Sequence, residues 1–446
     1  MVENNINFHE LIENKNWKLA KLSLKELGPI QVAQLLEEID EEEVVILFRL
    51  LNREQAKDVF PLLPHYKQEE LIEGIAHNKG LLTNLLNDIE PDDRTAFFEE
   101  LPGKVTQRLI QLLSPEEKSI TTKLLGYPEE SIGRLMTPEY VAIKTDYTVA
   151  QAFEHIRKFG VDSETLNVVY IIDHNWKLLD DIRIKELLLA DPAQTIESLM
   201  DRKFVALNAL DDQETAIRVF RDYDRVALPV VDDEGVLIGI ITIDDIMDVE
   251  EEESTEDFHK FGSFQEAIDS PLNAKPFYLY RKRVVWLFAL VFVNVFSGAA
   301  IASFENVISS MVSLVFFLPL LIDSGGNAGS QSATLMIRSL AIGDVELSDW
   351  YKLIFKEILV ALLLGLTMAL GVSAIASFRA PEIMLVVGIT MILIVLVGSL
   401  TGMLLPFIFT KLKLDPATAS APLITSIADI FGVIIYFSVA SWYLPI

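Results

Sequence analysis

Residues 318–331 read LPLLIDSGGNAGSQ and join an apolar run to an aspartate, two adjacent glycines and an asparagine. The stretch belongs to the part of the chain after Val284, where long apolar segments dominate. A carboxylate in hydrocarbon costs on the order of +3 kcal/mol even on the mildest scale, so Asp323 must face a protein interior or a water-filled path. Pro319 and the glycines predict that the helix breaks here and bares backbone carbonyls, which is tolerated at membrane depth only where the backbone lines a cavity.

The stretch lies in one of five apolar segments that are each long enough to cross about 30 Å of hydrocarbon. The segments cover roughly 284–304, 308–336, 353–377, 383–409 and 417–443. The basic residues that flank them are unevenly divided, since Arg379 alone lies on one side and the other side carries Arg281, Lys282, Arg283, Arg338, Lys352, Lys356, Lys411 and Lys413. Because cytoplasmic loops carry an excess of Lys and Arg, the sequence predicts a multi-pass protein of the cell membrane with its N-terminal region in the cytoplasm and its C-terminus outside.

A second carboxylate, Asp429, lies near the middle of the fifth segment. Thr425, Ser426 and Asp429 share one helical face, which gives a polar stripe; a structural aspartate that caps a broken helix is the alternative. Carboxylates, the Asn327 amide and freed carbonyls are oxygen ligands that hard cations such as Mg2+ and Ca2+ prefer. Cysteine is absent and the six histidines are scattered, so no ligand set suits zinc or copper. We therefore predict a divalent-cation path with Asp429 as a metal ligand, and with a pore lined by Asp323, Gly325, Gly326, Asn327, Ala328, Thr425 and Ser426.

The first 283 residues are polar and strongly acidic. Of the 37 basic and 65 acidic residues in the chain, 31 and 56 precede Val284, so this region carries 25 of the 28 net negative charges. Such a surface repels nucleic acid and anionic lipid and concentrates cations. The lack of cysteine excludes a disulfide framework, a thiolate metal site and a cysteine nucleophile. Residues 1–5 contain neither a basic nor an apolar run, so we expect no cleaved signal peptide.

Residues 1–130 contain a short internal repeat. Apolar pairs recur about every 12 residues, at Leu35-Leu36, Val59-Phe60, Leu71-Ile72, Leu85-Leu86, Phe97-Phe98 and Leu109-Ile110. Prolines fall close after these pairs, where short helices would start or stop. The pattern predicts an all-α, superhelical N-domain over 1–130, and its function is that of a scaffold or a regulatory arm.

A longer repeat, with an offset of 64 residues, covers 135–248; Leu135-Met136, for example, recurs as Leu199-Met200. Each copy alternates helix, short β-branched strand, turn and helix, as an α+β module does. The pattern resembles a tandem pair of CBS domains over 131–248, in which the copy with LPVVD at 228–232 is the clearer.

The resemblance to CBS domains raises the question of a nucleotide. CBS pairs often bind adenine nucleotides, and an acid a few residues after a Thr or Ser commonly holds the ribose. Asp245 after Thr242 fits this pattern, whereas in the first copy Arg183 stands in the hydroxyl position. ATP binding and a purely structural dimerisation pair therefore both stay open.

Residues 249–280 form an acidic connector that ends in Arg281-Lys282-Arg283. The run at 250–257 predicts a helix, for which a merely solvated face is the alternative reading.

The order of these parts, together with a five-helix membrane domain over 281–446, resembles the MgtE family of magnesium transporters. The specific motifs are GGNAGSQ at 325–331 and the Asp415-Pro416 pair that precedes Pro422 and Asp429. The resemblance implies a homodimer with the pore between subunits, selection of Mg2+ by Asp429, and Mg2+ sensing by acids of the cytoplasmic region. The residues that match the sensing positions are Asp92 or Asp93, Asp212, Glu214, Asp224, Asp245, Glu253, Glu256 and Asp257.

The function expected from these observations is Mg2+ transport into the cytoplasm through a channel-like pore that intracellular Mg2+ closes. Mg2+ is then both the transported ion and a regulatory ligand, and no enzymatic activity is expected. Three alternatives remain: a broader carrier of Mn2+ or Co2+, a nucleotide-sensing receptor, and an intramembrane aspartyl protease built on Asp323 and Asp429. The last would use the Asp-Ser-Gly tripeptide at 323–325, but Asp429 lacks the Gly-x-Gly-Asp element.

Overall fold

The computed structural model describes residues 8–264 and 274–444. The chain divides into two compact units, Met1–Val249 and Glu250–Ile446. The acidic connector predicted over 249–280 lies outside the described residues at 265–273.

The first unit begins with short helices that share one apolar core. They are α1 (Phe8–Glu13), α2 (Trp17–Glu26), α3 (Pro29–Glu38), α4 (Glu41–Phe48), α5 (Arg53–Val59), α6 (His65–Ile75), α7 (Lys79–Asp88), α8 (Pro91–Glu99), α9 (Gly103–Ile110) and α10 (Pro115–Leu124). Asn52 and Ser114 cap the starts of α5 and α10 by accepting hydrogen bonds from backbone N–H groups, and Pro91 and Pro115 occupy the first helical position. The short-helix prediction for this N-domain is confirmed, and its buried side chains include Leu36, Leu47, Phe60, Leu71, Leu86 and Phe98.

Two copies of one α+β module follow. The first contains α11 (Ile132–Leu135), β1 (Ala142–Lys144), α12 (Val149–Phe159), β2 (Val168–Ile172), β3 (Leu178–Arg183) and α13 (Ile184–Leu189); the second contains β4 (Leu207–Asn208), α14 (Gln213–Tyr223), β5 (Ala227–Val231) and β6 (Leu237–Thr242). The sheets have orders β1-β2-β3 and β4-β5-β6, each with one parallel and one antiparallel pair. Both copies shift register at the same point, next to Ile172 and Val231, and they share a core around Tyr170 and Ile240. The predicted tandem repeat is confirmed.

The next helix, α15 (Ile243–Phe261), contains residues of both units, because the division falls after Val249. Its first turn carries Asp244 and Asp245.

The second unit is a bundle of long helices. They are α16 (Pro276–Ser303), α17 (Glu305–Ser310), α18 (Ser313–Ala341), α19 (Trp350–Arg379), α20 (Met384–Lys411) and α21 (Ala421–Tyr443). Among the described residues, four helical stretches are long and apolar enough to cross a membrane: Pro276–Ser303, Leu347–Arg379, Pro381–Lys411 and Ala421–Tyr443. With 29 residues α18 is also long enough, so the bundle is compatible with the five predicted spans.

The prediction that the second span breaks at Pro319 and the glycines is wrong. The helix α18 is continuous from Ser313 to Ala341, with Pro319 inside it. Proline has no N–H to offer to the carbonyl of Val315, but the turns that follow keep their helical hydrogen bonds. The carbonyls at 323–329 are therefore engaged within the helix and are not freed as ion ligands.

Two pairs of glycines bring α18 and α20 into backbone contact. A Cβ atom added at Gly398 would overlap the carbonyl oxygen of Gly325, and one added at Gly402 would overlap that of Gly329. Gly325 and Gly329 are four residues apart on α18, as are Gly398 and Gly402 on α20, so the small-residue faces of the two helices meet.

Candidate ion path and acidic sites

The aspartates of the second and fifth spans lie close to each other. Asp323 of α18 is exposed on the surface of the single chain and Asp429 of α21 is half-buried, and their carboxylates are near enough to repel electrostatically. The Asn327 side-chain N–H donates to Asp323 Oδ2 over 3.2 Å. The two carboxylates and the Asn327 amide thus form a polar group at the surface of a bundle of largely apolar helices.

Close packing of α18 against α21 sets this arrangement. A Cβ added at Gly326 would lie 2.9 Å from the Thr425 side chain, and one at Gly432 would meet Ile322 at 3.6 Å. The two aspartates therefore lie at the same level of the bundle, because each falls between these two contact points on its own helix.

The other residues predicted to line a pore occupy different environments. Gly325 packs against Ile394, Gly326 against Thr425, and Ala328 belongs to the apolar core. Ser426 is buried, and the Thr425 hydroxyl donates to the Pro422 carbonyl over 3.0 Å. Within one chain these small residues contact the neighbouring helices, and the place of Gly325, Gly326 and Ala328 in a pore stays a prediction.

A cluster of carboxylates forms in the first unit where α8 faces the start of α15. Asp92 and Asp93 lie in the first turn of α8, and Asp245 lies in the first turn of α15. Acids at a helix N-terminus stabilise their own helix, yet here the two sets face each other and repel. Further members of the cluster are Glu90, Glu164, Asp244 and Asp248.

Burial and the repulsion of neighbouring carboxylates raise the pKa of four carboxyls of this cluster, those of Asp92, Asp93, Glu164 and Asp245. Burial first, and then the charges of Glu90 and Asp245, raises the pKa of Asp93 to about 7. Burial and Glu90 likewise raise the pKa of Glu164 to about 8, and burial raises that of Asp245 to about 6. Asp92 is almost completely buried, and its pKa also lies well above its ordinary range, because burial and then the charge of Asp245 disfavour its ionised form.

Arg94 fixes the position of α8 beside this cluster. Its guanidinium is fully buried, donates to the Thr121 hydroxyl over 2.9 Å and to the Ile89 carbonyl over 2.9 Å, and pairs with Glu117. These bonds tie α8 to α10, so the acids in the first turn of α8 rest on a rigid support.

Other predicted sensing residues are not brought together within the chain. Asp212 caps the start of α14 by accepting from the Glu214 N–H, whereas Asp224 ends the same helix in a left-handed conformation at φ 49°. An 11-residue helix separates them by about 17 Å, so Asp212 and Asp224 do not share an ion in one copy. Across 8–264 and 274–444, no three His, Asp or Glu side chains converge closely enough to hold a metal directly.

The end of α15 carries the remaining predicted acids and contacts the start of α21. Lys260 Nζ lies 2.8 Å from Glu256 and 2.6 Å from Asp415. Burial first, and then the charges of Asp415 and Glu253, raises the pKa of Asp257 to about 6. In the same unit the buried Ser263 and Ser420 hydroxyls are hydrogen-bonded at 2.9 Å, and Phe261 packs against apolar residues that include Ala419 and Ile424.

The CBS pair contains a polar cleft of about 260 Å³. Three basic and three acidic side chains line it together with two apolar ones: Asp181, Ile182, Arg183, Glu186, Leu199, Asp201, Lys203 and Arg225. The Arg225 guanidinium is held by Asp181 at 2.9 Å. Arg183, which stands where the CBS pattern has a Thr or Ser, lines this cleft.

Several charged residues of these sites were not predicted from the sequence. Glu90, Glu164, Asp244 and Asp248 join the first cluster only through tertiary packing, and nothing in their local pattern marks them. Lys260 does carry a signal, since it follows Glu256 by four residues on one helix face.

Comparison with known proteins covers nearly the whole chain. The family described as MgtE, divalent cation transporter, matches residues 318–439; the MgtE intracellular N domain matches 27–130, and the CBS domain matches 196–252. The magnesium transporter MgtE of Thermus thermophilus is 35% identical over 442 residues, which are 98% of this chain and 97% of the relative. The magnesium transporter MgtE of Bacillus subtilis is 30% identical over 94% of this chain and 93% of its own.

Two solved structures each match about half of this chain. The crystal structure of the cytosolic domain of the Mg2+ channel MgtE in complex with ATP matches with a TM-score of 0.52 and 30% identity, and the match covers 54% of this chain and 98% of that one. A second, the soluble part of a magnesium transporter, matches with a TM-score of 0.50 and 26% identity over 55% of this chain and 96% of the other.

The long apolar helices, the paired aspartates of the second and fifth spans and the acidic first unit define a membrane transporter of divalent cations. The chain belongs to the MgtE family of magnesium transporters. Mg2+ is the ion that this family transports, and its members are transporters and not enzymes. The alternative of an intramembrane aspartyl protease is therefore excluded.

Proposed function

We propose that two copies of this chain form a channel-like pore that conducts Mg2+ into the cytoplasm, and that Mg2+ bound to the acidic cytoplasmic region closes it. The observation that carries the proposal is the pair of carboxylates, Asp323 and Asp429, at one level of a bundle of largely apolar helices. Hydrocarbon cannot solvate such a pair, so a water-filled path must border it.

A second copy completes the path. Asp323 and Asn327 are exposed on the surface of the single chain, although they lie in a membrane helix. In a twofold dimer the same face of each copy meets across the axis, so each Asp429 approaches its mate. Mg2+ sheds its water reluctantly and is usually held through one or two carboxylates. A pair of Asp429 side chains would then select a hydrated divalent ion by charge and by the width of the pore.

The orientation of the protein gives the direction of transport. The loop charges support an orientation with the first unit and the 411–415 loop in the cytoplasm and the C-terminus outside. The acidic clusters therefore face the compartment into which Mg2+ is delivered, which is where a sensor that limits uptake has to lie.

The test of the path is the substitution Asp429→Ala in the purified full chain, reconstituted in liposomes with a fluorescent Mg2+ reporter inside. Mg2+ influx should fall at least tenfold, because the ion loses the charge that offsets its partial dehydration. Glu305→Gln, an exposed acid at the start of α17, should leave influx unchanged. Normal influx through the Asp429→Ala variant would exclude the proposed path.

The acidic residues also support closure by internal Mg2+. In the first unit, Asp92, Asp93 and Asp245 repel one another, and a Mg2+ that keeps part of its water shell would bridge them and favour a compact state. In the second unit the end of α15 contacts the start of α21 through Lys260 and Ser263. The helix α15 carries Asp245 near its start and Glu253, Glu256 and Asp257 near its end. Mg2+ that orders this helix would therefore hold its end over the pore entrance and stop further entry.

We propose ATP as a further ligand of the CBS cleft. Arg183, Lys203 and Arg225 supply charges that suit phosphates, and Glu186 suits a ribose hydroxyl, although no aromatic side chain among the described residues lines the cleft to stack on the base. Arg225 would have to exchange Asp181 for a phosphate, so binding should be weak and Asp181→Ala should strengthen it. Isothermal titration with ATP tests this in the unaltered chain and in Asp181→Ala. If the CBS pair is purely structural, neither protein will give binding heat.

A further inference from the structure

One face of α18 is polar and exposed over about three turns. The exposed residues follow one another at spacings of four, four and three, and they are Asp323, Asn327, Gln331 and Thr334. The opposite face is buried against the neighbouring helices, and its residues include Leu321, Gly325, Ala328 and Ser332. Lipid cannot satisfy an amide and a carboxylate, so this polar face has to border water or a second copy of the chain.

Asp323 is the single charged group on that face until Arg338 in the last turn of α18. The side-chain N–H of Asn327, one helical turn further on, donates a hydrogen bond to Asp323 Oδ2 over 3.2 Å. The bond restricts the rotamer of Asp323 without neutralising its charge, because the donor is an uncharged amide. The second carboxylate oxygen of Asp323 and the side-chain amide oxygen of Asn327 remain as acceptors on the same side of the helix.

Asp323 also lies at the level of Asp429, as the contacts of Gly326 with Thr425 and of Gly432 with Ile322 show. Each chain thus presents two carboxylates at one level, and a twofold pair of chains presents four. A monovalent ion leaves most of the repulsion among four carboxylates in place, whereas a divalent ion relieves twice as much.

We propose that Asp323 is a second charge-selecting residue of the ion path, oriented by Asn327, and that it sets the preference for divalent over monovalent cations. The proposal rests on the proposed function, since it needs Asp429 to lie in the path. Asn327 is the positioning residue, because it acts on the ion through Asp323.

The experiment compares Mg2+ influx and K+ current in proteoliposomes that contain the full chain with the Asp323→Asn substitution. The preference for Mg2+ over K+ should fall at least tenfold, while some Mg2+ influx persists through Asp429. Asp323→Glu should restore most of the preference, and Asn327→Ala, which keeps the charge and removes its orientation, should lower it by a smaller factor. Glu382→Gln, an exposed acid just before α20, should match the unaltered protein.

An unchanged Mg2+ to K+ preference in Asp323→Asn, together with loss of influx in Asp429→Ala, would overturn the role of Asp323 and leave the path intact. Normal influx in Asp429→Ala would instead refute the path itself. Each variant is first checked by size-exclusion chromatography. If Asp323→Asn does not yield folded protein, Asn327→Ala decides: a wild-type preference in that variant refutes the proposal, and a reduced preference supports it.

Discussion

At the scale of single residues, the membrane unit depends on glycines, which have no side chain to keep two helices apart. Gly398 and Gly402 of α20 lie directly on the backbone of α18, over Gly325 and Gly329. The contact fixes how far α18 lies from α20, and α18 in turn carries Asp323. The position of the ion path is thus set partly by residues that have no functional group.

The substitution Gly402→Ala tests this dependence. Its Cβ would overlap the Gly329 carbonyl oxygen, which is backbone, so α18 and α20 must separate. We expect a loss of about 1–3 kcal/mol of stability, as is typical of overpacked cores. The measurement is the thermal unfolding temperature of the detergent-solubilised protein. Gly371→Ala in α19 is the matched control, since nothing lies within 4 Å of its added Cβ, and it should be neutral or slightly stabilising. Equal unfolding temperatures for the two variants would contradict the packing argument.

At the scale of secondary-structure elements, the repeats were predictable and the course of α18 was not. The 64-residue offset identified two modules because each must bury its own strands, and both sheets do have the same order. The predicted break in α18 relied on local preferences of Pro319 and the glycines. Those preferences are overridden in the bundle, where Gly325 and Gly326 allow close contact with α20 and α21 and the packing compensates for their cost in a helix.

The acidic sites were predictable only in part for a related reason. Asp92, Asp93 and Asp245 were found through the resemblance to a family, whereas Glu164 enters the cluster because the loop after α12 packs near α8 and α15. Similarly, Asp212 and Asp224 match sensing positions, yet α14 holds them at opposite ends. A pattern in sequence gives the acids of a site, but the packing of elements decides which of them meet.

At the scale of the whole molecule, most of the net charge of −28 belongs to the region before Val284. Some of those acids are packed together, and burial first, then mutual repulsion, raises the pKa of Asp92, Asp93, Glu164 and Asp245. Because Asp93 ionises near pH 7 in the folded protein and near pH 4 in an unfolded chain, the folded state binds more protons between those values. Stability without Mg2+ must therefore fall as the pH rises through this range.

Mg2+ replaces those protons, so its binding should depend on pH in the opposite sense. We expect the thermal unfolding temperature of the full chain in detergent with EDTA to fall by several degrees between pH 5.5 and 8.5. Saturating Mg2+ should remove most of that decline, and the apparent Mg2+ affinity should rise with pH because bound Mg2+ displaces protons. The measurement is a series of unfolding curves, followed by tryptophan fluorescence, at several Mg2+ concentrations and pH values.

Asp93→Asn separates this linkage from a general effect of charge. The variant removes one repelling carboxyl, so without Mg2+ it should be more stable than the unaltered protein at pH 8.5, and it should gain less from Mg2+. Glu197→Gln removes an exposed acid from the 3-10 helix Ile196–Leu199, and it should leave both the pH dependence and the gain from Mg2+ unchanged. Asp93→Asn could instead retain the full pH dependence and the full stabilisation by Mg2+. In that case the cluster of Asp92, Asp93 and Asp245 is not the sensor, and closure must depend on the acids at the end of α15 alone.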